Sequence, residues 1–159
     1  MDIFVVRKGV PISINASGVA QQYRRQVTKS LEQQIEKIGC RVSPNADVSV
    51  VAKITGPKKT RVSYFRAGDF DFNEYTSVIE FVFNGKVLWS SRRTNQPGFL
   101  KSARDKSYKQ QLADAGAKPN LGYFSSATLP EYLQKPSGNG KNTRVQQTLG
   151  ASSIADAKL

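Results

Sequence analysis

Few residues in this chain have the type and spacing for chemistry. Asp69, Asp71 and Glu74 are the only dense carboxylates, and their spacing offers oxygen ligands to a hard cation. They lack both the ligand count and the glycine of a calcium loop, so they read as acids of a solvated loop that balances Arg66, and no metal is expected. Cys40 is the only cysteine and there is no histidine, which excludes a Ser-His-Asp triad, an imidazole ligand, an intrachain disulfide and a thiolate metal site. The run Gly138-Asn139-Gly140-Lys141-Asn142-Thr143 has the wrong glycine-to-lysine spacing for a phosphate loop and follows no strand, so it reads as a link. No G-x-S-x-G motif is present. The expectation is therefore no catalytic residue and no cofactor. An enzyme would need a deep pocket around Asp69, Asp71 or Glu80.

The feature with functional weight is charge. The chain has 159 residues and a formal charge of +12. Twelve cations face eight carboxylates through residue 80, and twelve face four afterwards, so the excess lies mainly in the second half. Lys58, Lys59, Arg61 and Arg66 decorate one hairpin and Arg92-Arg93 ends another, and if those strands adjoin the six cations share one region beside Tyr64, Phe65, Phe70, Phe72 and Tyr75. Two functions fit. In the first, the chain is a non-catalytic interaction or scaffolding domain that docks a protein partner or a neighbouring domain on a sheet edge or on the face beside its C-terminal arm, these cations steering acidic partners. In the alternative, the same cations bind single-stranded nucleic acid, with Tyr64 and Phe65 as stacking groups.

The elements that must position these residues follow from periodicity. Residues 3–6 and 12–14 read as extended segments. Ala20, Tyr23, Val27, Leu31, Ile35 and Ile38 then recur every three or four residues, which predicts an amphipathic helix with Ser17 as N-cap and Gly39 as stop. Val48, Val50, Ala52 and Ile54 alternate with their neighbours as in a half-buried strand. Gly56-Pro57-Lys58-Lys59 breaks it, residues 60–66 return as a strand, and residues 67–74 form an irregular loop. Residues 75–83 and 86–94 flank Asn84-Gly85, the pair favoured by a type I′ hairpin turn. A two-residue turn would pair Phe81 with Leu88 and Val82 with Val87, leaving both faces partly apolar, with Trp89 in the core. One helix covers one face, so the C-terminal third should cover the other, at least in part.

These readings give an α+β domain: one long amphipathic helix packed on an antiparallel, hairpin-built sheet over residues 1–95, followed by an irregular arm over residues 96–159. The arm carries a short helix near Arg104 to Ala115, lays Leu121, Tyr123, Phe124, Leu129, Tyr132, Leu133, Leu149 and Ile154 over the sheet, and frays near residues 137–147.

Several short motifs add a resemblance. The helix ending Ile38-Gly39-Cys40, the segment Asn45-Ala46-Asp47-Val48-Ser49-Val50 and the hairpin Gly85-Lys86-Val87-Leu88-Trp89 resemble small α+β domains of bacterial envelope lipoproteins. With Leu129-Pro130-Glu131-Tyr132-Leu133, Pro136 and Leu149 to Ile154, the chain more closely resembles an uncharacterised C-terminal α+β domain of large planctomycete multidomain proteins. The resemblance implies accessory, scaffolding or partner-binding work and transfers no site residue. The chain departs from the lipoproteins in having no lipidation cysteine near its start. Its opening apolar run of four residues is shorter than the roughly 7–15 of a secretory signal, so neither a signal peptide nor a membrane span is expected. The compartment would be cytoplasmic for a complete chain and otherwise set by a missing N-terminal part.

Overall fold

The computed structural model describes residues 3–98, 100–101 and 106–136. In chain order the elements are β1 (Phe4–Val6), β2 (Pro11–Gly18), α1 (Gln21–Lys37), β3 (Arg41–Val42), β4 (Val48–Tyr64), β5 (Gly68–Phe83), β6 (Lys86–Thr94), α2 (Tyr108–Ala115), α3 (Tyr123–Ser126) and β7 (Leu133–Gln134). The expected frayed stretch, the glycine-rich run 138–143, Leu149, Ile154 and the start of the helix at Arg104 lie outside the described residues. The fold is α+β, with one long helix on a sheet of order β3-β2-β4-β5-β6. The sheet is mixed rather than hairpin-built throughout, because β2 runs parallel to β3 and β4. The reason is connectivity: α1 carries the chain back across the sheet between β2 and β4, and strands joined by such a crossover are parallel.

The apolar stripe of α1 behaves as its period predicts. Val27, Leu31 and Ile35 are almost wholly buried, and they share a core with Val48, Val50, Ala52, Ile79 and Phe81 of the sheet. Arg25, Lys29, Glu32, Glu36 and Lys37 stay in solvent. The N-cap is Ala20 and not Ser17, because β2 continues to Gly18 and the Ser17 amide donates to Asn15 Oδ1 at 3.0 Å. Arg24, itself exposed, closes this strand-to-helix turn by donating to the carbonyls of Val19 and Ser17 at 2.8 and 3.2 Å.

Two local readings change in the sheet. Gly56-Pro57 does not end the strand; β4 absorbs it as a bulge between Thr55 and Lys58 and runs on to Tyr64. Residues 60–64 therefore continue outward, and residues 68–74, expected as a loop, are the returning half of a long hairpin whose tip is Phe65-Arg66-Ala67. Fifteen cross-strand pairs hold β4 to β5, which outweighs the local tendency of Gly-Pro to break a strand. The second hairpin has its Asn-Gly turn as expected, with φ of +49° at Asn84 and +75° at Gly85. Its register slips at a bulge, so Val82 meets Val87 but Phe81 meets Trp89 instead of Leu88. An inserted residue reverses the facing of everything beyond it. Trp89 thereby joins the α1 side, 1% exposed and edge-to-face with Phe81 at 5.8 Å.

The segment after β6 divides between the two faces. β5 carries no bulge, so alternation places Phe70 and Phe72 on the side opposite Ile79 and Phe81. There α2 covers the outer hairpin, with Tyr108 edge-to-face on Phe70 at 6.4 Å and with Leu112 and Phe72 both buried. Tyr123, Phe124, Leu129 and Leu133 join the α1 core on the other side, and β7 pairs with β1. Among the described residues, the expectation that this third covers the second face is met by α2 alone, whereas Tyr123, Phe124, Leu129 and Leu133 extend the first. Val51, Val78, Val82 and the exposed Val87 remain on the part of the second face that α2 does not reach.

Cys40 packs as an inert thiol. It is 6% exposed, its Sγ donates to the Arg7 carbonyl at 3.2 Å, and burial pushes its thiol pKa up. Its reaction with an aromatic disulfide reagent at pH 8 is expected to be at least about 100-fold slower in the native protein than in urea, since a buried thiol must await an opening of the fold. Equal rates in the two conditions would contradict the packing.

Candidate docking groove

The structure distributes the eight residues singled out for binding rather than gathering them. Because β5 lies between β4 and β6, the two cationic segments are not adjacent strands. Lys58 faces Glu74 across the hairpin, and Arg61 faces Asp71 and lies 3.5 Å from Asp69 through Nε. A hydrogen bond from Ser63 Oγ, aided by Arg61, holds the Asp69 carboxyl below the usual carboxylate range. Of the acids expected to balance Arg66, Asp69 pairs with Arg61 instead, and alternation puts Asp71 and Glu74 on opposite faces of β5. Lys59 opposes Asn73 and is exposed. Tyr64 packs on Phe70 and donates to the Gly98 carbonyl at 3.4 Å. Phe65 stands at the tip, 90% exposed, with the Arg66 guanidinium over its ring at 5.2 Å.

Arg92 and Arg93 have a different setting. β6 is an edge of the sheet, and beside its last residues the chain encloses a groove of about 1230 Å³. One wall is Ser91–Asn95; the other is the C-terminal end of α2, residues 118–122 and α3, with Gln26 of α1 at one end. Asp69, Asp71 and Glu80 lie elsewhere. Arg93 is on the α1 side of the sheet, with its guanidinium 5.9 Å from the Tyr123 ring centroid. Arg92 pairs with Val78 and faces the other side. The Tyr123 hydroxyl is hydrogen-bonded to Ser91 Oγ, and burial pushes its pKa up.

Polar groups that periodicity did not single out build this groove. Asn95 is 8% exposed and ties three elements together: its Oδ1 accepts from the Tyr75 amide at 2.6 Å, and its Nδ2 donates to the carbonyls of Asn73 and Ala115 at 3.3 Å each. Gly116 sits where an added Cβ would lie 3.0 Å from the Asn73 carbonyl oxygen, so the chain passes against β5 at backbone distance. Gln34 of α1 donates to the Ser125 carbonyl and fixes α3 on the helix. An asparagine at a strand end and a glutamine within a helix are common at the surface too, so their type alone carries no such signal.

Among the described residues β6 has no strand on its outer side. The Asn95 amide donates to the Tyr75 carbonyl at 3.1 Å, so position 95 points its main chain inward, and in an antiparallel ladder the inward positions alternate with outward ones. The N–H and C=O groups of Ser90, Arg92 and Thr94 therefore point away from β5. Among the described residues no hydrogen bond reaches them. After Thr94 the chain departs toward the outer hairpin, where the Tyr64 hydroxyl reaches the Gly98 carbonyl.

These features are those of an α+β domain with one long helix on a mixed five-stranded sheet and a groove beside the edge strand β6. The structure is distantly similar to PelC from Paraburkholderia phytofirmans, solved as a dodecamer: one structure matches at 14% identity over 70% of this chain and 82% of that one, with a TM-score of 0.36. A variant of the same protein matches at 13% identity over 56% and 72%, with a TM-score of 0.36. A minor lipoprotein from Acinetobacter baumannii matches at 11% identity over 67% and 84%, with a TM-score of 0.32. No family model and no curated protein matches the sequence. Among the described residues no helix is long and apolar enough to cross a membrane.

Proposed function

We propose that this chain is a non-catalytic docking module that binds an extended polypeptide, from a partner protein or from a neighbouring domain of a longer chain, by adding it as a strand to the edge of β6. The observation that carries this reading is the open edge: three consecutive outward positions, Ser90, Arg92 and Thr94, lie alongside a ready-made groove. Main-chain pairing supplies affinity in such a mode, and alternate side chains entering the groove supply selectivity. The reading accords with the resemblance to C-terminal domains of planctomycete multidomain proteins, whose partners would be found within the same long chain. Nucleic-acid binding is the less favoured alternative, because Arg61 and Lys58 already face carboxylates and Tyr64 is packed.

Arg92→Pro tests the proposal. Residue 92 points its N–H outward, so proline there removes no bond of the β5–β6 ladder and is tolerated as on other edge strands, with a stability change of about 1 kcal/mol or less. Chemical-shift titration with an octapeptide of alternating valine and threonine is expected to move the amides of Ser90, Arg92 and Thr94 in the parent protein, and Arg92→Pro is expected to abolish binding. Binding that survives Arg92→Pro, or shifts confined to the Phe65 tip, would refute edge docking. Salt-sensitive binding of labelled oligo-thymidylate that is lost on removing Lys59 and Arg66 would favour the alternative.

A further inference from the structure

We infer that the segment docked on β6 is acidic and comes from a different chain or domain, with neighbouring acidic residues on its two faces. This rests on the edge-docking reading above and adds the partner's chemistry to it. Arg92 lies on one face of the sheet and Arg93 on the other, both exposed, so a paired strand meets a cation on each side. A residue directly opposite Arg92 shares its face, and the next residue along points into the groove toward Arg93.

The groove side is also positive. Lys118 lines the opposite wall, and the one carboxylate there, Asp114, is engaged: Lys106 Nζ donates to it at 2.7 Å and Gln110 Nε2 at 2.9 Å. Arg92, Arg93 and Lys118 thus have no carboxylate of their own within salt-bridge reach among the described residues. The Arg93 guanidinium lies over the Tyr123 ring, and Lys118 is exposed on the facing wall.

The same charges disfavour a second copy of this chain. Two β6 edges paired antiparallel about a two-fold axis, in the register that uses all three outward positions, place Arg92 against its own counterpart. Directly opposed like charges destabilise a strand pair. An acidic strand from elsewhere relieves that repulsion, and the opposite charges also accelerate its approach.

The test compares two octapeptides of alternating valine and threonine that differ only in a central pair, two adjacent glutamates or two adjacent glutamines. Fluorescence anisotropy at about 50 mM salt is expected to show the glutamate peptide binding roughly tenfold tighter, which corresponds to two partly exposed ion pairs, with the difference shrinking at high salt. Arg92→Gln combined with Arg93→Gln should erase the difference between the two peptides; a difference that persists in this variant would overturn the assignment of acid selectivity to these cations. Both side chains are exposed, and an unchanged thermal midpoint would establish that the variant is folded. If the two peptides bind equally and Arg92→Pro abolishes both, acid selectivity is wrong and edge docking stands. If neither binds, edge docking itself is wrong. A concentration-dependent dimer that Arg92→Pro dissolves would overturn the exclusion of a second copy.

Discussion

Phe124→Ala lowers the stability of this protein by about 3–5 kcal/mol, the range for removing a fully buried aromatic ring. Phe124 is wholly buried in the core shared by α1 and the sheet, and its ring meets Tyr123 edge-to-face at 5.7 Å. α3 has four residues and no side-chain cap, so it is held by what it buries and not by helix propensity. Loss of the ring removes the anchor of the groove's outer wall as well as core volume. A urea titration is the check, read as a fall in midpoint with the slope unchanged. Phe65→Ala, at a residue 90% exposed, is the control and should stay within about 0.5 kcal/mol of the parent. Equal effects at the two positions would mean that α3 is not part of the core.

The second large effect is Asn95→Ala, expected to cost about 2–4 kcal/mol. The side chain makes three hydrogen bonds to backbone groups of β5 and α2, and alanine leaves the Tyr75 amide and the carbonyls of Asn73 and Ala115 without that partner. Each buried polar group so orphaned costs roughly 1–3 kcal/mol, partly recovered by water at the groove. The loss should be local. Hydrogen exchange is expected to accelerate most in α2 and at Tyr75, with Val27 to Ile35 of α1 nearly unchanged. A uniform acceleration across the protein would instead mean that the outer hairpin and α2 do not open separately. Because Asn95 also lines the groove, the variant should weaken peptide docking more than its stability loss implies.

The two residues with these large effects differ in how visible they are beforehand. Phe124 is one of few apolar residues after position 96, so an expectation that it packs on the sheet follows from its type. Asn95 offers no such clue, because its importance comes from three backbone groups that meet only after β5, β6 and α2 assemble. The cationic cluster illustrates the same limit. Lys58, Lys59, Arg61, Arg66, Arg92 and Arg93 are apparent as charges, but their grouping required β4 and β6 to be neighbours, and β5 lies between them. The facing of Trp89 was equally out of reach, since a single inserted residue in β6 decides it.

What the sequence alone determines here is what short-range periodicity and turn chemistry control: the helix from Ala20 to Ile38, the half-buried strand beginning at Val48, the Asn84-Gly85 turn, and the absence of histidine chemistry. These depend on residues within a few positions of one another, so the local pattern is sufficient. Tertiary structure alone decided that β2 runs parallel to β4, that Gly56-Pro57 lies within a continuous strand, that α2 and α3 take opposite faces, and that β6 is left as the edge beside a groove. Each of these depends on pairings between distant residues, whose sum outweighs a local preference of about a kilocalorie per mole.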